Sequence, residues 1–178
     1  MGGTHVPRKP HASQADETAC MSESFVPETG DRAQIDGLVI RYYSAVDEQR
    51  VDRALVDSVF TEDGRWIGPT GAVRVGRAVI AAQQAAAVSM FRATHHVTSD
   101  YLIDVADDTA RLRANLTAMH LWGAGSTDPA ALESHFLAGG VFDGTAVRTD
   151  AGWRLSELRL RIVWRTGALP IHIDPESL

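Results

Sequence analysis

Residues 94–122, THHVTSDYLIDVADDTARLRANLTAMHLW, have the alternating pattern of two β-strands joined by a tight turn. In the first strand, 94–105, the apolar face carries His95, Val97, Tyr101, Ile103 and Val105. In the second strand, 110–122, that face carries Ala110, Leu112, Ala114, Leu116, Ala118, His120 and Trp122. Because the side chains of a strand point alternately to its two faces, this period of two predicts a hairpin with one buried face.

A turn at residues 107–108 determines which residues of this hairpin lie opposite each other. It pairs Ile103 with Leu112, and the same register places His95 opposite His120, with Cβ atoms about 5 Å apart. Two imidazoles on the dry face of a sheet are costly to bury without partners, and their pKa values can lie near neutral pH. We therefore expect His95 and His120 to face a catalytic pocket. The alternative is a pair of hydrogen-bonded histidines in the core.

Three helices are predicted before the hairpin and two strands after it. The helices cover 31–48, 51–60 and 76–91, with a turn at 61–64, a short strand at 65–67 and a bend at 68–71. The strands cover 132–147 and 153–165 and are joined by a turn at 150–152. Gly139-Gly140 predicts a bulge that curves the sheet. The predicted fold class is α+β, with three N-terminal helices packed across a curved antiparallel sheet that forms an open cone.

Composition indicates one globular domain without a basic surface for nucleic acid. The chain has 178 residues, 44% of them hydrophobic, and a formal net charge of −6. Its longest apolar stretch, 78–91, is shorter than the roughly 20 residues of a membrane span. We therefore expect no nucleic-acid partner and no membrane segment. The single Cys20 lies in a polar stretch and favours a cytoplasmic protein.

The domain is predicted to cover residues 31–168. Residues 1–30 are polar and contain prolines, which predicts a flexible N-terminal leader, and 169–178 form a C-terminal tail. One face of the last strand is basic, and we expect such exposed sheet faces to associate into a homo-oligomer, a dimer or a trimer. The basic residues are Arg159, Arg161 and Arg165.

Asp47 is the third candidate catalytic residue. It lies near the C-terminal end of the first predicted helix, where the helix macrodipole disfavours a carboxylate. It follows Tyr43 by four residues at the edge of the apolar stripe, so its side chain can lean toward the pocket and pair with an imidazolium. The alternative is a solvated aspartate at a helix end.

A metal site and a cofactor site are both disfavoured by the sequence. Two histidines and an aspartate resemble part of a non-haem iron site, but the adjacent His95 and His96 point to opposite faces of a strand and cannot share one ion. The chain has no glycine-rich phosphate loop and no Gly-x-Ser-x-Gly elbow. We therefore predict a reaction without a metal or a cofactor.

The pocket wall is predicted to be aromatic and to suit a small hydrophobic substrate that carries a ring. His135 and Asp143 face either the pocket or the solvent, depending on the register around Gly139-Gly140. The candidate substrate-binding residues are Tyr43, Trp66, Phe91, Met119, His135, Phe136, Asp143 and Trp164.

Five short motifs resemble the SnoaL-like branch of the nuclear transport factor 2-like superfamily. They are YYSAVD at 42–47, FTEDG at 60–64, GR at 76–77, THHVT at 94–98 and GWRL at 152–155. The resemblance covers residues 31–166 and implies an α+β cone of three helices on a curved antiparallel sheet. The superfamily includes enzymes, enzyme subunits and non-catalytic binders, so the fold alone does not define a function.

Within this superfamily the spacing of Asp47, His95 and His120 is similar to that of scytalone dehydratase, in which a helix-end aspartate works with two strand histidines. The two water-positioning tyrosines of that enzyme fall on Val46 and Trp66 here. The pair Asp47 and His95 also resembles the dyad of the hexachlorocyclohexane dehydrochlorinases. Elimination chemistry is common to both groups of enzymes.

The resemblance implies a cofactor-independent dehydratase or cyclase of secondary metabolism that acts on a hydrophobic, polyketide-like or aromatic carbonyl compound. Asp47 would orient His95, His95 would remove a proton next to the carbonyl, and His120 would donate to the developing enolate or the leaving hydroxyl. A double-bond isomerase or a dehydrohalogenase with the same base is one alternative. A non-catalytic subunit, like the β subunit of ring-hydroxylating dioxygenases, is another.

Overall fold

A computed structural model of the protein describes residues 1–2 and 25–168. The described chain forms three α-helices, six β-strands and a short 3-10 helix. In chain order they are α1 (Phe25–Asp47), α2 (Arg53–Val59), β1 (Phe60–Ile67), β2 (Val73–Val75), α3 (Arg77–Val88), β3 (Phe91–Ala106), β4 (Thr109–Trp122), the 3-10 helix (Leu132–Ser134), β5 (His135–Thr149) and β6 (Gly152–Gly167). Most of the predicted leader, Cys20 and the tail 169–178 lie outside the described residues.

The six strands form one curved sheet in the order β2-β1-β6-β5-β4-β3. Neighbouring strands run antiparallel except β1 and β6, which pair in parallel. The predicted α+β cone is therefore confirmed, with one parallel contact that the sequence pattern did not indicate. The sheet is not closed, because β2 and β3 form its two edges.

Helix α1 supplies much of the core that lies between the helices and the sheet. Its buried residues are spaced three and four apart, so they form one stripe on the helix surface. Burying a large apolar side chain of this kind stabilises a fold by about 1.5–3 kcal/mol. The residues of the stripe are Ile35, Leu38, Val39, Tyr42, Tyr43 and Val46.

Several predicted boundaries differ from the structure. Residues 132–134, predicted as the start of a strand, form the 3-10 helix, the third helix ends at Val88 rather than at residue 91, and β2 was not predicted. Helix α1 begins at Phe25 rather than at residue 31. Residues 61–64, predicted as a turn, continue strand β1, and the register with β6 shifts between Phe60 and Arg65. Gly64 permits this irregularity because a Cβ there would lie 3.0 Å from the Thr61 carbonyl oxygen. The four polar residues therefore form a bulge inside a strand and not its end.

The predicted bulge at Gly139-Gly140 is confirmed. Gly139 pairs with Trp164 but Gly140 pairs with Ile162, so Val163 is an extra residue in β6. A Cβ on Gly139 would lie 2.2 Å from the Trp164 indole, so only glycine leaves room for that ring.

The β3–β4 hairpin has the predicted turn, and next to the turn it has the predicted register, with Ile103 opposite Leu112. Between Ser99 and Leu102 the register shifts by one residue. Asp100 has a φ of 55° at this bulge. A one-residue shift turns every side chain beyond it to the other face of the strand.

The Asp100 carboxylate holds the β3 bulge in place. It accepts hydrogen bonds from the Ser99 hydroxyl at 2.9 Å and from the Asn115 amide of β4 at 2.8 Å. These hydrogen bonds lower the pKa of Asp100, the bond from Asn115 most of all. The carboxylate thus links the bulge to the neighbouring strand.

A polar clamp at the turn end of the hairpin joins α1 to the sheet. The Arg148 guanidinium of β5 donates to both carboxylate oxygens of Asp31 at 3.0 and 2.7 Å, and also to Asp108 at 3.0 Å. The Trp153 indole of β6 donates to Asp31 at 3.0 Å, and the Arg148 guanidinium lies 4.5 Å above the Trp153 ring. The hydrogen bond from Arg148, followed by that from Trp153, lowers the pKa of Asp31.

Replacement Asp31→Asn is expected to lower the free energy of unfolding at pH 7 by about 1 kcal/mol, a modest value because Arg148 is 39% exposed. The folded-state pKa of Asp31 lies below its ordinary value of 3.8, so this stabilisation is present above pH 3.8 and is lost as the pH falls further. Urea denaturation at pH 7 and pH 3 measures both effects. Asp150→Asn, on an exposed turn, is the matched control, and an equal loss in both variants would contradict the clamp.

Candidate active site

Asp47 is the last residue of α1, and the chain after it is fixed by a tight cap. Gln49 has a φ of 53°, which lets the amides of Gln49 and Arg50 bond back to the carbonyls of Val46 and Ala45. The Gln49 side-chain amide donates to the Phe91 carbonyl oxygen at 3.0 Å. The end of α1 is thereby attached to the first residue of β3.

Three donors from β3 hold the Asp47 carboxylate. The Thr94 hydroxyl donates at 2.8 Å, the His96 backbone N–H at 2.8 Å, and the His96 Nδ1 lies 2.6 Å from Oδ1. Burial raises the pKa of Asp47, but the hydrogen bonds from His96 and Thr94 outweigh it and hold the pKa below the ordinary value. Asp47 is therefore ionised at neutral pH despite the macrodipole of α1.

The ionised carboxylate determines the tautomer of His96. A carboxylate only accepts hydrogen bonds, so Nδ1 of His96 must carry the proton that it donates to Asp47. The other ring nitrogen, Nε2, then has a free lone pair. Burial lowers the pKa of His96, although the bond to Asp47 opposes this effect, so the ring is neutral at pH 7. The Tyr43 ring stacks on it at 4.9 Å between centroids.

The prediction that His95 faces the pocket is wrong. His95 is exposed and pairs with Met119 on the outer face, whereas Thr94 pairs with His120. The reason is the bulge at Asp100, which reverses the two faces of β3 between the turn and the histidines. His96, assigned by the alternation to the outer face, is the residue that meets Asp47.

His120 of β4 lies beside His96 in aromatic surroundings. The two imidazoles are 5.1 Å apart and perpendicular, and His120 stacks on Phe136 at 4.3 Å and contacts Phe91 at 4.8 Å. Its Nδ1 is buried without a hydrogen-bond partner among the described residues. Burial, and next the neighbouring His96, lower the pKa of His120 to about 3.

Both imidazoles border a mostly apolar cavity of about 540 Å³ between the helices and the sheet. A volume of this size encloses a drug-sized ligand. Five of the eight predicted wall residues line it: Tyr43, Trp66, Phe91, Phe136 and Trp164. The Trp164 ring lies over Gly139 and is 48% exposed, so this residue lies at the edge of the cavity.

Three predicted wall residues do not line the cavity, namely Met119, His135 and Asp143. Each lies one residue away from an inward-facing neighbour on its strand, so alternation places it on the outer face. His135 lies 3.2 Å from the Ser134 hydroxyl, and Asp143 is exposed beside Arg113. The sequence left it open whether His135 and Asp143 face the pocket or the solvent, and in the structure both lie on the outer face of the sheet.

Tyr42, Thr94 and His96 also line the cavity, although none of them was predicted as a site residue. One signal for the two β3 residues was present, because Ser99 interrupts the apolar row of that strand while Leu102 interrupts the polar row. Such a change of phase indicates a bulge. Tyr42 belongs to the apolar stripe of α1, and helical spacing does not distinguish a residue that lies in the core from one that lines a cavity.

Within residues 25–168, no group of three or more His, Cys, Asp or Glu side chains is arranged to hold a metal ion. Over the same residues, no helix has the length and apolar character needed to cross a bilayer.

The chain belongs to the SnoaL-like domain family, whose model matches residues 27–159. This family membership confirms the resemblance to the SnoaL-like branch of the nuclear transport factor 2-like superfamily. No protein with curated function matches the sequence.

Several solved structures share the fold. The Kfla4162 protein of Kribbella flavida is 26% identical, with a TM-score of 0.70 over 78% of this chain and 94% of that one. A candidate scytalone dehydratase from Novosphingobium aromaticivorans is 21% identical, with a TM-score of 0.67 over 84% and 91%. A hexachlorocyclohexane dehydrochlorinase from Novosphingobium barchaimii is 18% identical, with a TM-score of 0.68 over 85% and 99%. The sequence identity to the last two structures is low, so the similarity to them shows only a shared fold.

Replacement His120→Phe is expected to make the protein less sensitive to acid. The folded-state pKa of His120 is about 3, whereas its ordinary value is 6.5. Below pH 6.5 the unfolded chain therefore takes up a proton that the folded protein does not, and the free energy of unfolding decreases as the pH falls. The wild type should lose about 2 kcal/mol between pH 7 and pH 5 from this group, and the variant should not.

Urea denaturation at the two pH values measures this difference. His95→Gln, on the outer face, is the control and should retain the wild-type dependence on pH. A direct check is the NMR titration of the His120 ring, which should show no protonation above pH 5. Protonation near pH 6.5 would contradict the assigned environment.

Proposed function

We propose that this protein is a cofactor-independent lyase, a dehydratase or cyclase, in which the Asp47–His96 pair is the general base. The substrate is a hydrophobic, polyketide-like or aromatic carbonyl compound of secondary metabolism. The observation that carries the proposal is the 2.6 Å contact between His96 Nδ1 and the Asp47 carboxylate at the wall of an apolar cavity. His96 takes the role that the alternation pattern assigned to His95.

The first step is removal of a proton from the carbon next to the carbonyl by Nε2 of His96. The imidazolium that forms is stabilised by the ionised Asp47, which already accepts its Nδ1–H. The face of the Tyr43 ring stacks against it and adds a favourable interaction with the cation. Because Asp47 is held by Thr94 and by backbone as well, the carboxylate does not have to reorient during the reaction.

His120 stabilises the oxygen on which negative charge develops. Its low pKa keeps the ring neutral at pH 7, so it donates an N–H hydrogen bond to the enolate oxygen rather than a full proton. When the enolate expels a β-hydroxyl group, His96 returns the proton to it and water leaves. The base is then neutral again, and the product carries the new carbon–carbon double bond.

Family membership and the fold of the neighbouring structures support elimination chemistry, because those neighbours include a candidate dehydratase and a dehydrochlorinase. The two water-positioning tyrosines of scytalone dehydratase correspond to Val46 and Trp66, and neither residue has a hydroxyl. We therefore assign proton removal to His96 itself rather than to a water held by phenols.

Replacements His96→Ala and Asp47→Asn are expected to lower the catalysed rate by about 10²–10⁴-fold, while His95→Ala leaves it unchanged. The rate is measured by NMR as exchange of the α-protons of fused-ring ketones, 1-tetralone and 2-tetralone, in D₂O. This assay reports proton removal whichever group is expelled from the natural substrate.

Asp47→Asn and His96→Ala weaken the hydrogen bonding between α1 and β3, so their melting temperatures should fall by about 2–4 °C while both remain folded at the assay temperature, and His95→Ala should melt like the wild type. Full exchange activity in His96→Ala, or loss of activity in His95→Ala, would refute the assignment of the base. A wild-type protein that exchanges neither ketone would favour a non-catalytic binding module.

A further inference from the structure

Two buried hydrogen-bond donors of the cavity have no role in the proposed reaction. The Tyr42 hydroxyl and the Trp66 Nε1 are buried without a partner among the described residues, and both side chains line the cavity. Tyr42 is 1% exposed and Trp66 is 9% exposed. An unpaired buried donor costs about 1–3 kcal/mol, and native proteins retain few of them. Because both residues line the cavity, a molecule bound there can supply the missing acceptor.

Both donors line the same cavity as the two histidines, and the Tyr42 ring contacts the Tyr43 ring at 5.2 Å between centroids. The Tyr42 ring makes an edge contact with Phe60, the first residue of β1, at 5.9 Å between centroids. Trp66 is also on β1, which is separated from β3 by three strands in the sheet order. His96 lies on β3 itself. Curvature of the sheet brings both strands to the same cavity, which the two histidines and the two donors line together.

The chemistry of the two groups restricts the ligand atom that they can bind. An indole N–H only donates, and burial raises the pKa of the Tyr42 phenol, so that group also keeps its proton. Both groups are neutral and lie in an apolar wall, where a carboxylate or a phosphate would be costly to bury. A neutral carbonyl or phenolic oxygen is a suitable acceptor for either donor.

We propose that Tyr42 and Trp66 form a second polar subsite, distinct from the His96–His120 pair, which binds a neutral carbonyl or phenolic oxygen of the ligand. The substrate is then a flat fused-ring compound that carries a second oxygen besides the reacting carbonyl. That this ligand is a substrate rests on the proposed function, whereas its binding at the subsite does not require turnover.

Equilibrium binding of two matched probes, 2-naphthol and 2,7-dihydroxynaphthalene, tests the subsite. The wild type should bind the dihydroxy compound about fivefold more tightly, since one added hydrogen bond contributes that factor. Tyr42→Phe and Trp66→Phe should bind the two probes equally well. Both affinities can be measured by isothermal titration calorimetry.

Tyr101→Phe is the matched control, because the Tyr101 hydroxyl donates to Thr98 at 2.7 Å and the residue does not line the cavity. This variant should keep the fivefold preference and lose thermal stability. Tyr42→Phe should instead raise the melting temperature by about 2–4 °C, because it removes an unpaired buried group.

The subsite is refuted if both cavity variants keep the fivefold preference, or if Tyr42→Phe lowers the melting temperature as Tyr101→Phe does. Its failure is distinguishable from failure of the proposed function, because binding requires no turnover. If ketone exchange depends on His96 but Tyr42→Phe keeps the probe preference, the assignment of the base is supported and the subsite is refuted. If Tyr42→Phe loses the probe preference but exchange does not depend on His96, the subsite is supported and the assignment of the base is refuted.

Discussion

The hydrogen bonds between Asp47 and β3 are the interaction on which the rest of the site depends. They join the end of a helix to the edge strand of a curved sheet, and they satisfy a carboxylate that the helix macrodipole alone would disfavour. The same contacts assign the tautomer of His96 and so direct its free lone pair away from Asp47. The Gln49 cap contributes to this junction because it attaches the helix end to Phe91, whose ring contacts His120.

The two ends of the cone use polar groups in different ways. At the hairpin turn, Arg148, Asp31 and Trp153 satisfy one another and hold α1 to the sheet. At the cavity, Tyr42, Trp66 and His120 have buried polar atoms that find no hydrogen-bond partner in the described part of the chain. Such groups lower stability, so their concentration around one cavity distinguishes the part of the fold that maintains the structure from the part that we propose binds a ligand.

Much of the architecture follows from local patterns along the chain. Helical spacing located α1, α2 and α3, alternation located β3 to β6, and the glycine pair marked the bulge opposite Val163. The polar segment 61–64 was mistaken for a turn because acidic residues and glycine are common in turns, although here they form a bulge in β1. For the site, an aspartate at the helix end and an imidazole on each hairpin strand were predicted, but the β3 imidazole was the wrong one of two neighbours.

The sequence by itself determined the fold class, the hairpin, and the presence of one carboxylate and strand histidines near a common pocket, because periodicity and turn chemistry are local properties. Only the tertiary structure decided that His96 rather than His95 faces inward. That choice depends on a single extra residue in β3, which is held by the Asp100 carboxylate and Asn115 of the neighbouring strand. A strand has a period of two, so one inserted residue exchanges its faces, and the pairing with a distant part of the chain determines where that exchange occurs.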